Sequence, residues 1–229
     1  MKKYSPKTKA QLQELIIDES VYLGYIDTSN ITDMSKLFFE DESGTEIHRL
    51  DFSGISSWDV SKVTDMSHMF EHCYVFNENI SSWDVSSVKN MERMFDECNF
   101  FAQDISSWDV SGCENMSGMF SGCYAFNQPL NSWNVSKVRD MIGMFHSCYY
   151  FNQPLDNWDV SSVEFMSFMF DTALSFNADI SGWNVGRFTS VRSMFCCAKS
   201  FKQDISGWKL VDERKKELYK GRNRYKAYG

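Results

Sequence analysis

Apolar residues return to the same places every 25 residues along most of this chain. Seven tryptophans stand at positions 58, 83, 108, 133, 158, 183 and 208 without a slip. An aliphatic residue precedes each by three (Ile55, Ile80, Ile105, Leu130, Leu155, Ile180, Ile205), and another follows by two (Val60, Val85, Val110, Val135, Val160, Val185, Leu210). The unit reads I-x-x-W-D-V-S-x-V-x-x-M-x-x-M-F-x-x-C-x-x-F-N, with six full copies from Ile55 to Asp204 and a seventh opening at Ile205. A period this strict means that each unit is one supersecondary turn, which buries its apolar face only by stacking on its neighbours.

Within a unit, the V-x-D/N-M stretch predicts one brief parallel strand. The M-S-x-M-F-x-x-C stretch places apolar residues at helical offsets behind Asp65, Asn90, Asn115 and Asp140 as N-caps. The expected fold class is therefore an α/β repeat solenoid with one short parallel strand plus one short helix per coil. Stacked at about 4.8 Å, seven such coils would make a rod of about 30–35 Å. The Met66, Met69, Phe70 and Phe76 columns then form internal ladders of a shared core.

Both ends depart from the repeat in ways that suit caps. Residues 1–54 hold a capping helix, a partial repeat and a loop; residues 55–204 hold the six repeats; residues 205–229 hold the partial seventh and a basic C-terminal cap. Ser5-Pro6 followed by Leu12, Leu15 and Ile16 predicts a helix of about Pro6 to Ile17. The stretch FEDESGTEIHRLDFSG reads as an exposed acidic loop. Beyond Trp208, Val211 and Leu218 are placed to seat a helix on the last coil before Gly221 ends it.

Composition supports a packed molecule: 16% of residues are aromatic, against only 12 Gly and 3 Pro. No run of about 18 apolar residues occurs, so no membrane-spanning helix is expected, and MKKYSPKTKAQ lacks the apolar stretch of a signal peptide. Charge is uneven. Residues 26–204 carry 11 Lys or Arg against 25 acids, while residues 205–229 carry eight against three. An acidic body disfavours nucleic acid, which needs a basic face, and the basic tail reads as a solvated cap.

The segments WDVSKVTDMSHMF, FNQPL and QDISGW, with the opening LGYIDTSNITDMSKLF at Leu23 to Phe38, resemble the BspA-like leucine-rich repeat proteins in the 25-residue form of mycoplasma lipoproteins. The resemblance covers nearly the whole chain. It implies a leucine-rich-repeat-like solenoid, a setting on bacterial surfaces, and adhesion or protein binding rather than catalysis. It also implies that Asn77, Asn127, Asn152 and Asn177 form a ladder between coils. The chain departs from surface members in lacking an evident signal peptide, lipoprotein cysteine or anchor, which points to an intracellular scaffold as the alternative setting.

The polar columns read as structural. Cys73, Cys98, Cys123 and Cys148 share a column that Ala173 and Ala198 continue, so small size governs and buried reduced thiols are expected. Cys196 and Cys197 are adjacent but have no His nearby in sequence, and no metal or cofactor is expected. Asp59, Asp84, Asp109 and Asp159 alternate with Asn134 and Asn184, as turn residues bonding the following backbone do. Calcium between stacked carboxylates is the competing reading. His68 and His72 stand four apart, but later coils replace them and they read as surface residues. No nucleophile elbow, phosphate loop or Cys-His arrangement appears, so an enzyme is not expected.

Function in a repeat array falls to the positions that vary. Tyr124, Tyr149 and Tyr150 follow the Cys column, and Ile142, Phe165 and Phe168 stand where most copies are polar or Gly. These six residues are the candidate partner-binding patch. The competing reading has Phe165 and Phe168 thickening the core of coil five. The expected protein is a monomer that binds another protein; a glycan is the alternative ligand, since aromatic rows serve sugars too.

Overall fold

The computed structural model of the chain describes residues 3–39 and 47–220. The 25-residue units stack as coils, each lying over the next in the same direction. One parallel bridge joins each successive pair: Asp33 with Asp65, Asp65 with Asn90, Asn90 with Asn115, Asn115 with Asp140, Asp140 with Phe165, and Phe165 with Ser190.

The strand and helix expected in each coil do not form, and the α/β reading is corrected. Among the described residues the helices are α1 (Lys9–Ile17), α2 (Asp212–Lys215) and two single 3-10 turns, Leu23–Tyr25 and Ile55–Ser57. The reason lies in where the amides point. In the second coil, Met91, Arg93, Phe95 and Glu97 donate to the carbonyls of Asn115, Ser117, Met119 and Ser121 in the next coil, at 2.7–3.0 Å. The intervening Met94, Asp96 and Cys98 turn back to Met91, Arg93 and Phe95 at 2.9–3.2 Å.

With alternate amides committed sideways, no run of bonds to the fourth preceding carbonyl can build. The left-handed residues that make this zigzag possible, such as Arg93 (φ 51°) and Glu97 (φ 61°), interrupt a strand as well. Asp65, Asn90, Asn115 and Asp140 therefore cap no helix. Each accepts the amide two residues on, at 2.8–3.1 Å, and so opens the turning segment.

Side chains complete the stack. The Met and Phe columns are buried as their spacing predicts, with Met66, Met69, Phe70 and Phe76 all at 0% exposure. Each tryptophan donates its Nε1–H to an aliphatic residue's carbonyl one coil back, as Trp133 does to Ile105 at 3.1 Å and Trp158 to Leu130 at 2.9 Å. Cys98, Cys123 and Cys148 do likewise through Sγ, at 2.9–3.0 Å to Phe70, Phe95 and Phe120. Burial pushes these thiols well above their ordinary pKa.

Equivalent rings stack from coil to coil. Rings in the Phe70–Phe195 column lie 5.6–5.9 Å apart. Trp158, Trp183 and Trp208 lie 6.2–6.3 Å apart, against about 4.8 Å for hydrogen-bonded backbones.

At the N-terminus, α1 begins at Lys9, later than Pro6, because Thr8 rather than Ser5 supplies the capping oxygen, to Gln11 N at 3.3 Å. Leu12 and Ile16 seat it. The insertion before the first full coil is more than an exposed loop. Its residues 40–46 lie outside the described residues, but Arg49 is only 5% exposed and clamps four carbonyls. Its guanidinium donates to Ile16, Asp18, Val21 and Asp51 at 2.9, 3.2, 2.7 and 2.6 Å.

At the other end, the carbonyls of Glu217 and Leu218 accept the amides of Ser193 and Phe195 at 2.8 and 3.0 Å, where a further coil would otherwise bond. Leu218 is buried there. Gly221 and the basic residues after it lie outside the described residues.

Candidate binding face

The turning segment of each coil, 65–73 in coil one and its equivalents, gives one face of the stack. Two left-handed residues per segment turn side chains outward where a regular strand would turn them in. Gly118 and Gly122 serve at these positions in coil three, and Gly143 with Ser147 in coil four. Coil five places Phe168 there, with φ 62°, an unfavourable conformation for a bulky residue.

The six patch residues all fall on this face or its edge. Phe165 and Phe168 are 44% and 37% exposed, so neither thickens the core. Ile142 is half-buried on the adjoining turn of coil four. Tyr150 is 66% exposed. Tyr124 and Tyr149 come together in a stacked pair, centroids 4.7 Å apart and 8° from parallel, and burial raises the Tyr124 hydroxyl above its ordinary pKa. Tyr124 and Tyr149 touch, whereas Ile142, Phe165 and Phe168 lie earlier in their coils, on the turning segments of coils four and five.

Sequence reasoning missed part of this surface. Phe100 is 64% exposed, and Tyr74 and Val75 about half. Val75 and Phe100 occupy the same column as Tyr150. Reading that column in every coil, rather than in coils three to five alone, would have found them.

Charged groups flank the patch on the same face. Glu71 and Asp96, each 6% exposed, share the Arg93 guanidinium at 3.2 and 3.0 Å, and His68 bonds Glu71. Burial pulls the Glu71 carboxyl up, but His68 and Arg93 outweigh it and hold the group below its ordinary range. At Asp96 burial prevails, and the carboxyl is raised. His72 faces Phe39 and Tyr74, with centroids 5.2 and 5.9 Å away.

Further along the column of Glu71 and Asp96 stand His146, Asp171 and Cys196. Ligand atoms of Asp171, Cys196 and Cys197 lie within 4.8 Å of one another. The two sulfurs are 3.7 Å apart, and His146 Nδ1 is 3.6 Å from Asp171 Oδ2. Linear spacing hides this grouping, because its members lie 25 residues apart and meet only through stacking.

The remaining polar columns serve the scaffold. Asp59, Asp109 and Asp159 accept the amides of Ser61, Ser111 and Ser161 at 2.9–3.0 Å, and Asn134 accepts that of Ser136. These serine bonds hold the three carboxyls below their ordinary pKa. The asparagine ladder is present: Asn77, Asn127, Asn152 and Asn177 accept amides from Ala102, Asn152, Asn177 and Lys202 at 2.7–3.0 Å.

Hollows lie on the surface of the described residues. One of about 570 Å³ is lined by Arg187 and residues 209–213, and one of about 260 Å³ by Glu114, Ser136, Lys137, Arg139 and Ser162. No helix among the described residues is long and apolar enough to cross a membrane.

A family model described as "Mycoplasma protein of unknown function, DUF285" matches residues 43–149 and again residues 129–223. No curated protein and no solved structure matches the chain.

Proposed function

We propose that this chain, which belongs to the DUF285 repeat family of mycoplasma proteins of unknown function, is a non-enzymatic scaffold that binds a protein partner through coils three to five. The observation that carries the reading is Phe168. It holds a left-handed backbone where the two preceding coils place Gly, and it keeps 37% of its surface in water instead of filling the core. Strain and exposure in one residue serve neither packing nor solubility, and both suit an anchor for a partner. Phe165 stands three residues before it on the same turning segment, and Tyr150 with the stacked Tyr124–Tyr149 pair adds aromatic surface on coils three and four. The resemblance to bacterial surface repeats favours an adhesive setting.

The test compares the native chain with a Tyr149→Ala, Tyr150→Ala, Phe168→Ser variant of matched thermal stability, each used to capture partners from cells. Loss of specific partners by the variant supports the proposal. A folded variant that retains every partner refutes it.

A further inference from the structure

We propose that Cys196, Cys197, Asp171 and His146 form a tetrahedral site for zinc or a similar thiolate-seeking divalent cation, assembled from three successive coils.

Two opposite edges of a tetrahedron are already in place. Zinc–sulfur bonds of about 2.3 Å set two thiolates roughly 3.75 Å apart, and the Cys196 and Cys197 sulfurs stand at 3.7 Å. Zinc–nitrogen and zinc–oxygen bonds of about 2.0–2.1 Å set that pair roughly 3.3 Å apart, and His146 Nδ1 stands 3.6 Å from Asp171 Oδ2. The Asp171 oxygen lies within 4.8 Å of both sulfurs, whereas His146 stands outside that group of three, against Asp171, and closes the fourth corner by a side-chain rotation. Adjacent residues of a strand point to opposite faces. Cys197 instead takes the left-handed position of its coil, at φ 58°, and the two neighbouring sulfurs meet on one side.

Charge and hydrogen bonding point to the same place. In coils one and two, the buried carboxylates of this column are neutralised by the shared Arg93. Asp171 is 7% exposed, and among the described residues no Lys or Arg pairs with it. It receives the Thr172 hydroxyl at 3.1 Å and a hydrogen bond from the Cys196 thiol, and faces His146 beyond hydrogen-bond reach. His146 Nδ1 is buried with no hydrogen-bond partner, while Nε2 meets Ser147 Oγ at 3.3 Å. A divalent cation would satisfy the orphaned nitrogen and neutralise the carboxylate, and both thiol protons would leave to solvent. Cys98, Cys123 and Cys148 are excluded from such a role, because each already donates to a backbone carbonyl in a fully buried column.

Cobalt(II) titrated into the reduced, chelator-treated full chain tests the site. The expected result is a thiolate-to-cobalt absorption band in the near ultraviolet that saturates at one equivalent, with visible bands of tetrahedral intensity, both erased by zinc. Cys197→Ser removes most of the near-ultraviolet band and weakens affinity at least 100-fold. Cys113→Ser, at a buried thiol elsewhere in the stack, leaves both unchanged. His146→Gln keeps the thiolate band, shifts the visible bands and weakens affinity about 10- to 100-fold. Unfolding curves of the metal-free proteins confirm that the variants fold. Three results would overturn the proposal: no saturation at one equivalent, a band unchanged in Cys197→Ser, or a native chain whose two thiols are joined as a disulfide.

Discussion

Arg49 gives the sharpest test of how the first coils are held. Its guanidinium donates to four carbonyls, and the bonds to Ile16 and Val21 are fully buried. It also sets a positive charge at the C-terminal end of α1, where the helix dipole favours one. Arg49→Met keeps much of the aliphatic stem and removes every donor. Each buried carbonyl that loses its partner costs about 1–3 kcal/mol, so the loss should be about 2–6 kcal/mol. Arg49→Lys should recover less than half of it, because one ammonium cannot reproduce a planar fork bonded on several sides. Urea denaturation followed by tryptophan fluorescence measures the loss. Limited proteolysis between residues 17 and 25 reports whether α1 comes free first. A loss below about 1 kcal/mol, or a lysine variant equal to the native chain, would refute the clamp.

Two further outcomes follow from the columns. Phe120→Ala removes a fully buried ring stacked 4.3 Å from Phe126 and should cost about 3–5 kcal/mol, whereas Cys123→Ala, which copies Ala173, should cost under about 2 kcal/mol; equal costs in denaturation curves would show that the column does not behave as read. The depressed carboxyls of Asp59, Asp109 and Asp159 contribute stability that is present above the unfolded value of about 3.9 and lost as pH falls through their folded values. Asp109→Asn should therefore keep the turn, as Asn134 does in its coil, lose at pH 7 only the part of that stability that the charge supplies, and lessen the acid dependence. A variant whose stability falls with acid as steeply as the native chain's would contradict the turn reading.

The sequence displayed the columns but not the path of the backbone between them. The period, the buried Met and Phe ladders and the turn-forming Asp59 column all follow from residue identity at fixed spacing, while the asparagine ladder follows from the resemblance to leucine-rich repeats. The helix assigned to the M-S-x-M-F-x-x-C stretch did not, because apolar residues at offsets of three and four arise equally from alternating turns whose amides bond the next coil. Nothing local tells the two apart. The left-handed positions left only a faint trace in Gly118, Gly122 and Gly143, since His68, Arg93, Glu97 and Ser147 adopt the same conformation elsewhere. Arg49 was hidden among acidic neighbours in a segment that breaks the repeat. The grouping of His146 with Asp171, Cys196 and Cys197 is invisible until residues are aligned by coil, when three of the four fall in one column.

Phe168, the anchor of the proposed binding face, owes its outward direction to the ladder between coils, so the ladder itself is the claim to test. Scalar couplings across hydrogen bonds, measured by NMR on the labelled chain, report which carbonyl each amide meets. The account predicts that the Phe95 amide couples to the Met119 carbonyl and the Arg93 amide to Ser117. Coupling of the Phe95 amide to the Met91 carbonyl instead would restore a helix to each coil and contradict the account.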